Sequence, residues 1–218
     1  MVKEKKFSFF FLQEVHCTKE REPYWHSEWG DSTIFTTFSS FRAGVAILFN
    51  NNFQFQILKH FADPEGTFII ADIDTGDKIM TLVNVYARNE DNPAFFRNVR
   101  DKLCSFKCDF MVLGGDFNLV CDVSKDKKGD VATTNLKSKE EVDAIREDFE
   151  LADIWRVLNP EATLFHGEGR TLRPIPQCRL HFFLISLYLC PEITKADIVR
   201  GYQTDHSSLS CTEKNPTD

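Results

Sequence analysis

The sequence has 218 residues, of which 42% are hydrophobic and 27% are charged, and its formal net charge is −7. These values are typical of one globular domain with a sizeable core, and they exclude a disordered chain and a general basic nucleic-acid scaffold. They do not exclude a nuclease, because carboxylates bind divalent cations and DNA is attracted by a local basic rim rather than by the total charge.

The first half of the chain predicts strands separated by short turns. Residues 7–13 are apolar on both faces, which favours an interior strand that ends at Glu14. Alternating patterns and turn residues such as Asn51 and Gly76 indicate the next strands. These are predicted over residues 33–38, 43–49, 53–58, 67–74 and 78–86. In the last of them Asn84 and Tyr86 share a face, so this face becomes polar where the strand ends.

The second half predicts helices inserted between further strands. Asn92-Pro93 is typical of a helix start, and Phe96, Val99, Leu103 and Phe106 follow at helical spacing. Ser138 with Glu141 forms a capping-box pattern before a second helix, whose predicted buried stripe is Val142, Ile145 and Phe149. A short helix is predicted over residues 152–158, short strands over 164–166, 178–185 and 196–199, and a mobile loop over 124–130. This order of elements predicts an α+β domain.

The cysteines and the amino terminus bear on the cellular compartment. The seven cysteines include no C-x-x-C pair, so we expect free thiols in a reducing compartment, with Cys104 and Cys108 as buried small hydrophobes. The basic and apolar start imitates a signal peptide, but Gln13-Glu14 interrupts it before any cleavage site. No stretch approaches the roughly 20 apolar residues of a membrane span. We therefore predict a nuclear or cytoplasmic protein that does not contact a membrane.

The most informative stretch is Gly114-Gly115-Asp116-Phe117-Asn118, which follows the apolar run 110–113. A buried strand stopped by two glycines would deliver polar groups to a sheet edge, and the period of two would place Asp116 and Asn118 on one side. The paired glycines permit backbone angles or a close approach that a β-carbon would block. A simple turn after a core strand explains the same residues about equally well.

Other polar residues stand at strand ends or in adjoining loops. They are Glu14, Tyr86 and Asp205, the last followed by His206. Carboxylates suit Mg²⁺, which keeps room for phosphate oxygens and water, and a histidine beside a phosphate can act as a general base or hydrogen-bond the developing charge. Taken singly, each residue also has an ordinary structural interpretation: a solvated strand end, a turn, or a core tyrosine with an exposed hydroxyl.

Together these motifs resemble the endonuclease/exonuclease/phosphatase superfamily, the fold of deoxyribonuclease I and the apurinic endonucleases. The sequence looks most like the endonuclease domain of LINE-type non-LTR retrotransposons. The matching segments are Phe11-Leu12-Gln13-Glu14, 44–49, 81–87, Gly114-Gly115-Asp116-Phe117-Asn118, Asp153-Ile154-Trp155-Arg156, Arg179-Leu180 with Phe182-Phe183-Leu184, and Thr204-Asp205-His206-Ser207. The resemblance implies a four-layered α/β/β/α sandwich without its first strand and helix, over residues 1–211, with a polar tail over 212–218.

The resemblance also implies a function, which is Mg²⁺- or Mn²⁺-dependent nicking of DNA. It assigns metal binding to Glu14 and Asp205. The catalytic positions it matches are Tyr86, Asp116, Asn118, Asp205 and His206. Tyr86 and Asn118 would contact the phosphate, and Asp116 would orient or deprotonate the attacking water. An intact element is expected to carry a reverse transcriptase, which does not follow here.

Several positions depart from the family pattern. His181 stands where the family has an aspartate that holds the catalytic histidine, so we interpret it as a degenerate site position. Residues 165–168 and Arg88 also differ from the expected residues, and the sequence begins after the family's first strand. These departures leave two alternatives to an active nuclease: an inactive remnant of such a domain, or a phosphodiesterase of the superfamily that acts on lipid phosphoesters.

Overall fold

The computed structural model describes residues 7–16, 18–29, 32–36, 44–128, 135–162, 177–200 and 207–213. The strands are β1 (Phe9–Gln13), β2 (Thr33–Phe35), β3 (Val45–Phe49), β4 (Gln56–Ala62), β5 (Phe68–Asp74), β6 (Ile79–Tyr86), β7 (Phe110–Asp116), β8 (Lys127–Lys128), β9 (Leu151–Asp153), β10 (Gln177–Cys178), β11 (His181–Ser186), β12 (Ile193–Arg200) and β13 (Ser207–Glu213). The helices are α1 (Glu22–Trp29), α2 (Pro93–Leu103), α3 (Leu136–Asp148) and α4 (Ile154–Leu158).

A six-stranded sheet in the order β4-β5-β6-β7-β11-β9 forms the centre of the fold. Its neighbours pair antiparallel except β6 and β7, which run parallel and are connected through α2. A parallel pair needs such a crossover because a tight turn can join only antiparallel strands. The carboxyl ends of β6 and β7 therefore meet at one edge of the sheet.

A second β layer packs on this sheet. It contains a three-stranded sheet, β1-β3-β2, and the antiparallel pair β12-β13. Alternation along β3 explains the layering: Val45, Ile47 and Phe49 face the six-stranded sheet, whereas Ala46 and Leu48 face α1. On the far side of the six-stranded sheet, a separate core packs α2 and α3 against the strands. The result is the predicted four-layered α/β/β/α sandwich.

The helices follow the predicted stripes, but one predicted cap is wrong. Asn92 caps α2 by accepting a hydrogen bond from the Phe95 amide at 3.3 Å. The helix α3 begins at Leu136, so Ser138 lies inside its first turn. There, the Asp91 carboxylate accepts hydrogen bonds from the Ser138 amide and hydroxyl at 2.8 and 2.7 Å. A distant carboxylate replaces the local capping box.

Other predictions also need correction. Within the described ranges β1 pairs only with β3, so it lies at an edge instead of in the interior. Strand β4 starts and ends later than expected. Cys104 lies beyond the end of α2 and is exposed, whereas Cys108 is half-buried. In the loop predicted to be mobile, Asp126 is buried and paired with Arg156 and Arg179, so this part of the loop is anchored, whereas Ser124 is exposed.

Two further observations concern the ends of the chain and membranes. The strand β13 reaches Glu213, two residues into the segment predicted as a polar tail. The predicted strand over 164–166 lies outside the described residues. Of the helices in the described ranges, none combines the length and the apolar character that crossing a bilayer requires.

Candidate active site

Three strand ends bring predicted site residues together. Glu14 follows β1 directly, while Tyr86 and Asp116 are the last residues of β6 and β7. The parallel register pairs Tyr86 with Asp116, so these two residues are neighbours across the strands. Tyr86 lies on the face of β6 that is directed at the second β layer, which carries Glu14. The two layers therefore meet at this edge through polar groups.

The phenol of Tyr86 connects the layers. Its hydroxyl donates a 2.6 Å hydrogen bond to the Glu14 carboxylate. Burial, this hydrogen bond and the negative charges of Glu14 and Asp116 all raise the pKa of Tyr86. The phenol therefore stays protonated and remains a hydrogen-bond donor at neutral pH.

Asp116 is held by the turn that follows β7. The carboxylate is almost fully buried and accepts a 3.0 Å hydrogen bond from the Asn118 amide. The Asn118 side-chain amide donates to the Ala87 carbonyl at 2.7 Å and lies 3.4 Å from the second Asp116 oxygen. The two side chains meet as predicted, but not through strand periodicity. Asn118 lies beyond the strand in the left-handed region, with φ +48°.

The two glycines before Asp116 do not stop the strand, since β7 continues through both of them, but they permit the close approach that was predicted. A β-carbon on Gly115, which has φ +137°, would collide with the Val85 carbonyl of the neighbouring strand. A β-carbon on Gly114 would collide with the Phe183 ring, which packs over it. The absence of a side chain at both positions therefore lets β6 and the Phe183 ring of β11 pack against β7 without a clash.

Asn84 supports the site, although no role was predicted for it from the sequence. It is fully buried, and its amide donates to the Leu12 and Ala46 carbonyls, both at 2.9 Å. Its carbonyl oxygen accepts a 2.7 Å hydrogen bond from Gln13. It therefore attaches β6 to β1 immediately before Glu14. The sequence feature that could have indicated this role is the position of Asn84 itself, a polar residue two positions before Tyr86 on the same face of an otherwise apolar strand.

His181 is the first residue of β11 and pairs with Asp116 in the antiparallel register. Its Nε2 atom lies 3.8 Å from Asp116 Oδ2, and 22% of its side chain is exposed. The position predicted as degenerate thus lies directly beside the buried carboxylate.

A buried ion cluster, for which no role was predicted, lies next to these residues. Arg179 forms a two-pronged contact with Asp126, at 3.0 and 2.8 Å, and also reaches Asp153 at 2.5 Å. Arg156 contacts the same Asp126 at 2.5 Å. Desolvation of Arg179 is outweighed by these carboxylates, which raise its pKa. The cluster fixes the backbone at Arg179, two residues before His181. In the sequence, the only indication of the cluster was that Asp153, Arg156 and Arg179 lie in segments that match the family.

Part of the predicted site, namely Asp205, His206 and residues 165–168, lies outside the described ranges. Across the ranges that are described, no three His, Cys, Asp or Glu side chains form a metal-binding cluster. The donors that are present nevertheless suit a hard divalent cation, because Glu14, which accepts the Tyr86 hydrogen bond, and Asp116, which is paired with Tyr86 in the sheet, both supply carboxylate oxygens.

Comparison with known proteins gives one relative with similarity over almost the whole chain. No protein-family model matches. The chain is 27% identical over 210 residues to the transposon TX1 uncharacterized 149 kDa protein of Xenopus laevis, and the match covers 94% of this chain. It covers 16% of the transposon protein, so the chain spans about one sixth of that relative's length.

Three solved structures share the architecture. AP endonuclease LMAP from Leishmania major has a TM-score of 0.76 at 16% identity, and the match covers 99% of this chain and 80% of the LMAP chain. An AP endonuclease from Archaeoglobus fulgidus has a TM-score of 0.75 at 16% identity, with 98% and 91% covered. The 3′ phosphatase NExo from Neisseria, bound to a product DNA hairpin, has a TM-score of 0.68 at 17% identity, with 95% and 89% covered. The chain thus has the deoxyribonuclease I-like fold of the AP endonucleases and is similar along most of its length to a transposon protein.

Proposed function

We propose that the chain is the DNA-nicking endonuclease domain of a LINE-type retrotransposon and that it depends on Mg²⁺ or Mn²⁺. The observation that carries the proposal is the meeting of Glu14, Tyr86 and Asp116 at one sheet edge. The fold of the AP endonucleases and the similarity to a transposon protein support it. One solved neighbour is bound to a product DNA hairpin, which supports DNA as the partner.

Each residue of the site has a distinct task in this proposal. Glu14, together with Asp205, would hold the cation, which supplies positive charge beside the phosphate when it is bound. Asp116 orients the attacking water and accepts its proton, because the Asn118 amide fixes one carboxylate oxygen. Tyr86 keeps its proton and can transfer its hydrogen bond from Glu14 to a phosphate oxygen. His206 would stabilise the developing charge on the phosphate.

The proposal is tested by nicking of supercoiled plasmid in the presence of Mg²⁺. The variant Asp116→Asn keeps the shape of the side chain but removes the proton acceptor, and we expect a loss of at least about 100-fold in rate. Asp101→Asn, which changes an exposed aspartate on α2, is the matched control and should nick at the wild-type rate. A chelator should abolish nicking, and added Mn²⁺ should restore it. A folded wild-type protein that leaves the plasmid supercoiled with either metal would contradict the proposal.

The second candidate is an inactive remnant that only binds DNA. The observation that favours it is His181, because a histidine beside Asp116 cannot replace the aspartate that the family uses to hold its catalytic histidine. A remnant predicts measurable DNA binding without nicking, and it predicts that His181→Asp increases activity. An increase in nicking by His181→Asp favours the remnant, and a decrease favours the active nuclease.

A further inference from the structure

We propose that His181 is a substrate-binding residue whose imidazole donates a hydrogen bond to an oxygen of the scissile phosphodiester. The inference rests on the proposed function, since it places a phosphodiester at the edge formed by Glu14, Tyr86 and Asp116. In this proposal His181 contributes to substrate binding, whereas from the sequence it was interpreted as a degenerate position that had lost its function.

The position of His181 in the sheet supports a direct contact with substrate. Because it pairs with Asp116 across two neighbouring strands, its side chain emerges on the same face as the carboxylate. The imidazole Nε2 lies 3.8 Å from Asp116 Oδ2. With 22% of the side chain exposed, the ring is accessible to a ligand without opening the core. A phosphate placed beside Asp116 therefore lies within reach of this ring.

The charges at the edge create a need for such a donor. Glu14 and Asp116 are carboxylates, so they repel a phosphodiester, which is itself an anion. The Tyr86 hydroxyl donates to Glu14 and the Asn118 side-chain amide donates to the Ala87 carbonyl, so a further donor beside Asp116 would add to the one hydrogen bond that Tyr86 can transfer to the phosphate. An imidazole has two ring nitrogens, and one can interact within the protein while the other donates to a ligand. An aspartate in the same place is acceptor-only when ionised and would repel the phosphate.

The backbone around His181 is held in place before any substrate arrives. The Phe117 amide donates to the Leu180 carbonyl at 3.0 Å, and the Arg179 amide donates to the Asp126 carbonyl at 3.0 Å. The side chain of Arg179 is in turn fixed by its contacts with Asp126 and Asp153. A donor on a rigid strand end loses little conformational entropy on binding, which strengthens the contact.

Three substitutions at position 181 test the proposal with two measurements. His181→Ala removes the donor, His181→Gln keeps a neutral donor, and His181→Asp introduces an anion. The first measurement is the affinity for a fluorescein-labelled DNA duplex in a chelator, read by fluorescence anisotropy, and the second is plasmid nicking with Mg²⁺. We expect about tenfold weaker binding for the alanine variant, a larger loss for the aspartate variant, and binding close to wild type for the glutamine variant.

His60→Ala is the matched control, because it removes an exposed histidine from β4 at the far edge of the six-stranded sheet. It should bind and nick like the wild type, and all variants should melt within a few degrees of it. Equal affinity of the alanine, aspartate and wild-type proteins would overturn the proposal, as would faster nicking by His181→Asp. In either case loss of nicking by Asp116→Asn shows that the proposed nuclease function still holds. If no protein nicks, the affinity series still decides the role of His181.

Discussion

Two residues of the candidate site adopt a backbone conformation that their side chains disfavour. Glu14 has φ +54° and Asn118 has φ +48°, both in the left-handed region. Asparagine tolerates this region, whereas glutamate does so only at a cost. Residues held in such conformations are concentrated at functional sites, where the surrounding structure enforces them. The strain at Glu14 is consistent with selection for the position of its carboxylate rather than for stability.

This interpretation predicts a separation of stability from activity at position 14. Glu14→Gly relieves the backbone strain, so the free energy of unfolding should be unchanged or higher by up to about 1 kcal/mol, as measured by urea denaturation. Nicking should nevertheless be lost with the carboxylate. Glu150→Gly is the matched control, because Glu150 has φ +50° in a turn outside the site. It should have the same effect on stability and none on nicking; a marked destabilisation by Glu14→Gly alone would refute the strain argument.

At the scale of elements, the sequence was most informative about where strands end. The predicted ends at Glu14 and Tyr86 are correct because apolar runs stop at polar residues there. The strand β7 also ends at Asp116, but it continues through the two glycines that were expected to stop it. The parallel pairing of β6 and β7 was not predictable, since a local pattern does not specify a strand's partner. The Ser138 cap failed for a similar reason, because its actual partner is the distant Asp91.

The connection between the two β layers leads to a prediction about Asn84. Asn84→Leu leaves the Leu12 and Ala46 carbonyls without their donor, which should lower the free energy of unfolding by about 1–3 kcal/mol. The end of β1 should also shift, so nicking should fall further than the stability loss explains.

Thr81→Val provides the control for that experiment. Thr81 is also fully buried and donates to Asp72 at 2.6 Å, but it lies near the start of β6. We expect a similar loss of stability, measured by urea denaturation, with normal nicking at a temperature where both variants are folded. Parallel losses of nicking in the two variants would show that Asn84 has no specific effect on the site.

At the scale of the whole molecule, two thiols and one phenol that are partly shielded from solvent make stability sensitive to alkali. Burial raises the pKa of both Cys108 and Cys121 to about 12, and burial together with Glu14 raises that of Tyr86. In an unfolded chain thiols ionise at about pH 8.5 and tyrosine at about pH 10. Below these values both states hold the same protons. Above them the unfolded chain releases protons that the folded chain keeps, so stability must fall as the pH rises.

We therefore expect the melting temperature to decrease from about pH 8.5 upwards, and Cys121 alone to contribute about 1 kcal/mol by about pH 9.5. Thermal melts from about pH 7 to about pH 10.5 measure this dependence. Cys121→Ala should make the decrease shallower, whereas Cys104→Ala, which removes an exposed thiol, should leave the slope unchanged. Identical slopes in the two variants would exclude Cys121 as a source of the effect.

A single sequence predicts layers better than it predicts buried charge. The layered architecture was predicted from the family resemblance, and β3 agrees with it because all five of its residues are apolar and are covered on both faces. The buried ion cluster was not, because its partners are far apart in the chain and Arg179 meets Asp126 and Asp153 only after folding. Charged residues in a loop carry no local sign of burial, so the loop that contains Asp126 was expected to be mobile.

The contact between Gly115 and the Val85 carbonyl has a genetic consequence. Changes at the third base of a glycine codon are silent, whereas every change at the first or second base gives a residue with a β-carbon or a stop codon. Each such missense change would push β6 and β7 apart and separate Tyr86 from Asp116. A drifting copy of this gene would therefore lose the site at codon 115 in a single mutational step, with no graded series of weaker variants in between.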